Sequence, residues 1–143
     1  MEEPVKHIIR NLGVRDLGML TPEQLQLVQC GLWRAYGTQE CFGLFTFKND
    51  MNVWLGHMYC RPAWRGKIAV EIFKLACRKM FEDIGCLRIL GLTPPDRRDA
   101  LVAARSIGFK RIGEAGGYVF SLLEKGDLKW QQELHWQSAL SVA

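Results

Sequence analysis

The sequence predicts a mixed α/β (α+β) domain: a mostly antiparallel central sheet flanked by helices, followed by a C-terminal helical tail. Three observations predict it. Strand-like and helix-like stretches alternate along the chain, with two adjacent strand pairs among them. Val53–Cys60 is apolar and aromatic, and it reaches a helical repeat through a short basic turn. The chain has 143 residues, 48% apolar and 24% charged, which suits one globular domain.

Val5–Leu12 reads as the opening strand. Thr21, Pro22 and Gln24 form a capping box with a first-turn proline. The helix they open is expected to turn Leu25, Leu27, Val28, Leu32 and Trp33 inward and to stop near Tyr36-Gly37. Cys41–Phe47 is an aromatic-rich strand. The turn Lys48–Asn52, with Asp50 and Asn52 as turn formers, makes a hairpin with Val53–Cys60.

Pro62 and Gly66 then punctuate a turn carrying Arg61, Arg65 and Lys67. Ile68, Ile72, Phe73, Leu75, Ala76, Met80 and Ile84 repeat at mostly helical spacing, and Gly85 marks the stop. Leu87–Leu92 has the short apolar run of a buried strand. Thr93–Asp96 is a turn, Arg97–Ile107 a helix ended by Gly108, and Phe109–Gly113 and Tyr118–Glu124 the last two strands. Residues 1–126 are expected to form the domain. Residues 127–143 read as a helical extension with Leu128, Trp130, Leu134 and Trp136 at partial helical spacing. That extension is a candidate surface for a protein partner.

Composition narrows the function. The net charge of +4 favours an anionic cofactor or an acidic partner. Lys and Arg are dispersed and no nucleic-acid module signature occurs, so nucleic acid is not favoured. No apolar run reaches membrane-spanning length and no leader opens the chain, so a cytoplasmic location is expected. The five cysteines lack a Cys-x-x-Cys pair and His7, His57 and His135 are far apart in sequence. Reduced thiols and no metal site are expected.

A strand that feeds a basic, glycine-containing turn at a helix start presents free backbone N–H groups and a helix dipole to an anion. Pro62, Arg65, Gly66 and Lys67 resemble the first half of the Pro-x-x-Arg-Gly-x-Gly-x-Gly/Ala turn of the Gcn5-related N-acetyltransferases (GNATs). The second half departs, with Ile68 where that family has glycine and Ala69 or Val70 at the final small position. Ala103–Glu114 is similar to the family's helix, Gly-Phe, basic strand and Gly-Glu segment, and the order of elements is similar from Val5 to Glu124.

The resemblance implies a GNAT-like fold, acetyl-coenzyme A as cofactor and an amine as acceptor. By the same resemblance the cofactor-binding residues are Cys60, Arg61, Arg65, Gly66, Lys67, Ile68 and Ala69. Loop amides would hold the pyrophosphate. His57, with an unperturbed pKa near neutrality, is the candidate base. Tyr59, on the same face, is the candidate acid or a packing residue. The tyrosine that serves many relatives as acid, four residues before the Gly of Gly-Phe, is replaced by Ala104. Arg105 and Ser106 are not sound substitutes.

The alternative is a catalytically degenerate member of the fold with a binding or assembly role. The chain also resembles small acetyltransferase-fold proteins of tailed phages, some serving virion assembly, which would place it in a virion.

Overall fold

A computed structural model describes residues 9–128. The opening strand is short within that range, β1 (Arg10–Asn11). Residues 5–8 of the expected strand, and the tail from Lys129 onward, lie outside the described residues.

The capping box forms as read. Gln24 N–H donates to Thr21 Oγ1 at 3.3 Å, and Thr21 N–H donates to Gln24 Oε1 at 2.8 Å. These bonds satisfy donors that a helix start leaves open. The helix, α1 (Pro22–Gln29), ends earlier than its apolar residues suggested. Gly31 takes φ +84°, and the chain turns back so that Trp33 N–H reaches Leu27 O at 3.0 Å. Residues expected to finish the helix instead form a strand, β2 (Arg34–Thr38). Leu32, expected inward, is 64% exposed in the connection.

β2 pairs with β3 (Cys41–Lys48), and β3 pairs with β4 (Val53–Cys60), both antiparallel. A long crossover follows through α2 (Lys67–Lys79), which continues into a π-helical turn at Met80–Ile84. Gly85, left-handed at φ +73°, stops it as expected. β5 (Arg88–Thr93) returns parallel to β4. Then come α3 (Arg98–Ile107), β6 (Lys110–Ala115) and β7 (Tyr118–Glu124). The seven strands order β1-β2-β3-β4-β5-β7-β6, and only β4–β5 is parallel among the described pairings.

Each face of the sheet has its own core. On one face, α2 sets Phe73, Ala76, Cys77 and Met80 against Tyr36, Phe45, Trp54, Ile89, Phe109 and Leu123. Phe73 stacks on Phe45 with ring centres 5.9 Å apart and on Phe109 at 6.3 Å. Two strand glycines permit this close approach. A Cβ on Gly43 would lie 2.9 Å from the Phe73 ring, and one on Gly56 would lie 2.8 Å from Ile89 Cγ2. On the other face, Leu12, Leu17, Leu20, Ala35, Phe42 and Leu44 pack with Leu25 and Val28 of α1 and with Trp33.

Ile68 does not join the α2 core. It is 48% exposed, whereas Ile72 one turn later is fully buried. At 3.6 residues per turn, Ile68 sits roughly 100° from the middle of the face that Ala69, Phe73, Ala76 and Met80 turn inward. No described helix is long and apolar enough to cross a membrane.

Candidate active site

The parallel pair separates halfway along. β4 and β5 are in register from Val53↔Arg88 to Gly56↔Gly91 and no further. Beyond Gly56, residues His57 to Cys60 keep β3 as partner, while Leu92 and Thr93 keep β7. The sheet therefore opens between the upper ends of β4 and β5. The opening leads to the turn at Pro62–Gly66 and the start of α2.

That helix start is open to an anion. Gly66 occupies the N-cap position at φ +103° and ψ −142°, and no side chain caps the first-turn amides. The first intrahelical bond runs from Val70 N–H to Gly66 O at 3.1 Å. The N–H groups of Lys67, Ile68 and Ala69 are left without intrahelical acceptors. Glycine is needed here for its backbone conformation, because few side chains tolerate that φ. A Cβ on Gly66 would meet nothing within 4 Å, so the space beside it is clear. Trp64 is half-buried and packs with Ala69 and Cys60 beside Cys41 and Ile72, which anchors the turn to the sheet.

The cations of the turn divide into two groups. Arg61 Nε contacts Glu40 Oε2 at 2.7 Å, so much of its charge is already met within the protein. Arg65 and Lys67 are exposed and make no ion pair among the described residues. Glu40 was not singled out from the sequence. Its position opposite Arg61, in the two-residue turn between β2 and β3, depends on a hairpin whose first strand the sequence suggests as the end of a helix near Tyr36-Gly37.

His57 and Tyr59 lie together on the α1 face of β4, one pleat apart, opposite Leu44 and Phe42. His57 is half-buried and its Nε2 lies 3.0 Å from Thr46 Oγ1. Burial lowers its pKa and favours the neutral imidazole. Thr46 is only 5% exposed, so the buried side of the pair is the threonine, while His57 keeps part of its surface open. A threonine inside the aromatic run Phe42–Phe47 was a visible signal for this partner. The register that sets the two side chains near each other was not visible. The Tyr59 ring stacks on Phe42 at 5.3 Å with 4° between planes, which is a packing role. Met58, on the opposite face, is 36% exposed beside the opening.

Ala104 packs against the main core from α3. Ser106 Oγ donates to Ala103 O at 2.7 Å, so its hydroxyl is engaged within the helix. A hollow of about 670 Å³ between α2 and the end of α3 is lined by Val70, Glu71, Lys74, Arg105 and Phe109. A smaller one of about 310 Å³ lies between β1 and the end of α1. Neither is lined by His57 or by the Pro62–Gly66 turn. Strand register, rather than cavity size, identifies the candidate site. No group of three or more His, Cys, Asp or Glu suited to a metal occurs among the described residues.

No family description and no curated protein matches the sequence. Solved structures do match in shape. The ribosomal-protein-S5-alanine acetyltransferase of Vibrio fischeri superposes with a TM-score of 0.66 at 13% identity, over 85% of this chain and 94% of its own. The dodecameric spermidine N-acetyltransferase of Vibrio cholerae gives 0.67 at 12%, over 82% and 93%. RimJ of Mycobacterium smegmatis, in complex with CoA-disulfide, gives 0.62 at 13%, over 75% of this chain and 60% of its own. At these identities the likeness concerns architecture. The chain has the GNAT fold: a mixed sheet, mostly antiparallel, whose single described parallel pair opens beside a glycine-started helix.

Proposed function

We propose that this protein is an N-acyltransferase that moves an acetyl group from acetyl-coenzyme A to an amine. One observation carries the reading: the β4–β5 opening ends at a helix start whose amides are uncapped and whose glycine leaves clear space. The residues fit the cofactor. The amides of Lys67, Ile68 and Ala69 would take the pyrophosphate oxygens, with Arg65 and Lys67 adding charge. Arg61 contributes mainly by fixing the β4 end through Glu40. When bound, acetyl-coenzyme A would supply a thioester carbonyl for attack.

His57 is the base in this reading. An amine attacks only when neutral, so a group must accept its proton. The lowered pKa of His57 keeps the imidazole free to accept that proton near pH 7. Its Nε2 is held by Thr46 Oγ1. With that nitrogen hydrogen-bonded, Nδ1 is the position left to face the acceptor. Tyr59 stiffens the strand by its stack on Phe42 rather than serving as acid. With Ala104 in the core and Ser106 bonded to its own helix, the departing thiolate takes its proton from water. That chemistry suits a slow enzyme or a strongly activated amine.

The acceptor belongs to the broad class that the structural neighbours name, polyamines and protein amines. The location in this reading is cytoplasmic. Asp127 pairs with Lys110 and Leu128 is buried in the main core, so in this reading the extension would be available to a protein partner only from Lys129 onward.

A second reading keeps the fold without the reaction: a binding or assembly protein, for example in a phage virion. The side-chain changes at Ile68 and Ala104 favour it. Calorimetric titration of the purified protein with acetyl-coenzyme A, at low and moderate salt, tests the choice. Saturable one-site binding is expected, weaker at higher salt. No heat of binding at millimolar ligand would refute the cofactor reading and leave the non-catalytic one.

A further inference from the structure

Cys41 and Cys60 face each other directly across the β3–β4 ladder at its upper end. The neighbouring pair, Glu40 and Arg61, is a bonded one, since Arg61 N–H donates to Glu40 O at 2.9 Å. Bonded and non-bonded pairs alternate along an antiparallel ladder, so Cys41 and Cys60 occupy a non-bonded pair. Such pairs bring Cα atoms to about 4.5 Å and side chains closest together. A disulfide spans Cα separations of about 4.4–6.8 Å. Both side chains point to the α2 face, where Ile9 and Ile72 enclose Cys41 and Trp64, Ala69 and Leu75 pack around them.

The two thiols differ in access. Cys41 is fully buried and Cys60 is half-buried. Both are reduced, and Cys60 Sγ also donates to Arg61 O at 3.4 Å. Burial first, and the hydrogen bond with Cys60 second, push the Cys41 thiol up.

We propose that Cys41 and Cys60 form a dithiol site that exchanges with low-molecular-weight disulfides, closing a cross-strand bond beneath the Pro62–Gly66 turn. The Cys60 thiolate attacks one sulfur of the small disulfide. That S–S bond breaks, one small thiolate leaves and takes a proton, and Cys60 carries the other half as a mixed disulfide. Cys41 then loses its proton and attacks Cys60 Sγ, releasing the second small thiol. Two protein thiols are oxidised to one disulfide, and the small disulfide is reduced to two thiols. The bond would tie the upper end of β4 covalently to β3. This proposal stands whether or not the turn binds a cofactor.

The test uses the full chain and oxidised glutathione at mildly alkaline pH, followed by thiol counting and peptide mapping without reductant. Wild type should lose both thiols of this pair and yield a Cys41–Cys60 linked peptide, while the exposed Cys30 takes a separate glutathione adduct that the count leaves out. Cys41→Ser should stop with glutathione on Cys60, and Cys60→Ser should lose no thiol at this pair. Cys60 is half-buried, so its variant remains informative should the buried Cys41→Ser fail to fold. Free thiols at both Cys41 and Cys60 after oxidation, a lasting glutathione adduct on Cys60 in the wild type, or a link between the core residues Cys77 and Cys86 in place of this one, would overturn the proposal.

Discussion

The two halves of β4 do different work. Val53–Gly56 lies between β3 and β5, and its lower end is tied across to β5. Asn52, left-handed at φ +59°, donates from Nδ2 to Gly85 O at 2.9 Å and accepts Trp54 Nε1–H at 3.0 Å. Leu87 N–H donates to Asn52 O at 3.1 Å. His57–Cys60 has a partner on one side only and ends in a turn whose donors are unused. A strand that is fully satisfied at one end can afford an unsatisfied edge at the other. The difference teaches where to look for chemistry in this fold: at the residue where pairing stops, here Gly56↔Gly91.

The comparison breaks most severely at the closed half. Phe73→Ala removes the ring stacked between Phe45 and Phe109 and should cost about 3–5 kcal/mol of stability, read from urea midpoints. A loss under 1 kcal/mol would show that the closed half does not depend on this aromatic row.

The next largest effect belongs to the open half. His57→Gln should slow acetyl transfer to an accepted polyamine or peptide amine by about a hundredfold, the lower end for a lost general base. Thiol release from acetyl-coenzyme A reports it, and an unchanged rate removes His57 from the mechanism. Asn52→Ala returns to the closed half. It deletes two side-chain hydrogen bonds and forces alanine into a left-handed conformation, for a loss of about 2 kcal/mol. Cofactor affinity measured in the folded variant should hardly move; a large loss would mean that the two halves are coupled.

Gly66→Val tests the open half alone. The backbone strain should weaken coenzyme A binding about tenfold by calorimetry, with the circular dichroism spectrum retained. Wild-type affinity in this variant would show that the turn does not hold the ligand. The smallest effect is in pH. The folded pKa of His57 is lowered by burial, so the unfolded chain binds its proton more readily. Its contribution to stability is present above the unfolded pKa of about 6.5 and is lost as pH falls through the lower folded value. Wild type minus His57→Gln should show that slope; parallel curves would contradict the assigned burial effect.

Much of the architecture was legible because it rests on local chemistry. Thr21-Pro22-Glu23-Gln24 caps a helix by itself, and Gly85 stops one by its φ. The Cys41–Cys60 hairpin was legible from its two apolar runs and the turn between them. β2 was not. Arg34-Ala-Tyr-Gly-Thr38 follows Leu32-Trp33 at spacing that also suits a helix, and only the turn at Gly31 and the pairing with β3 make it a strand. Within the site, the turn glycine and the shared face of His57 and Tyr59 followed from spacing. Glu40 opposite Arg61 and Thr46 beside His57 did not, because both depend on cross-strand register. The exposure of Ile68 was hidden for a related reason, since periodicity gives a helical face but not its rotation over the sheet.

The outer margin of the sheet has one further consequence. β6 is exposed along its whole length and ends the strand order, which would ordinarily invite another chain to add a strand. Here the margin is short, charged and irregular. Lys110 pairs with Asp127 at 3.1 Å, Arg111 with Glu114 at 2.9 Å, and the register with β7 slips between Arg111 and Gly113. An incoming strand would have to desolvate those charges and match a bulged backbone. At the far margin, the described part of β1 offers only two residues for pairing. The protein thus carries protection against aggregation at β6, and substitutions that neutralise Lys110 and Arg111 should be the ones that reduce its solubility.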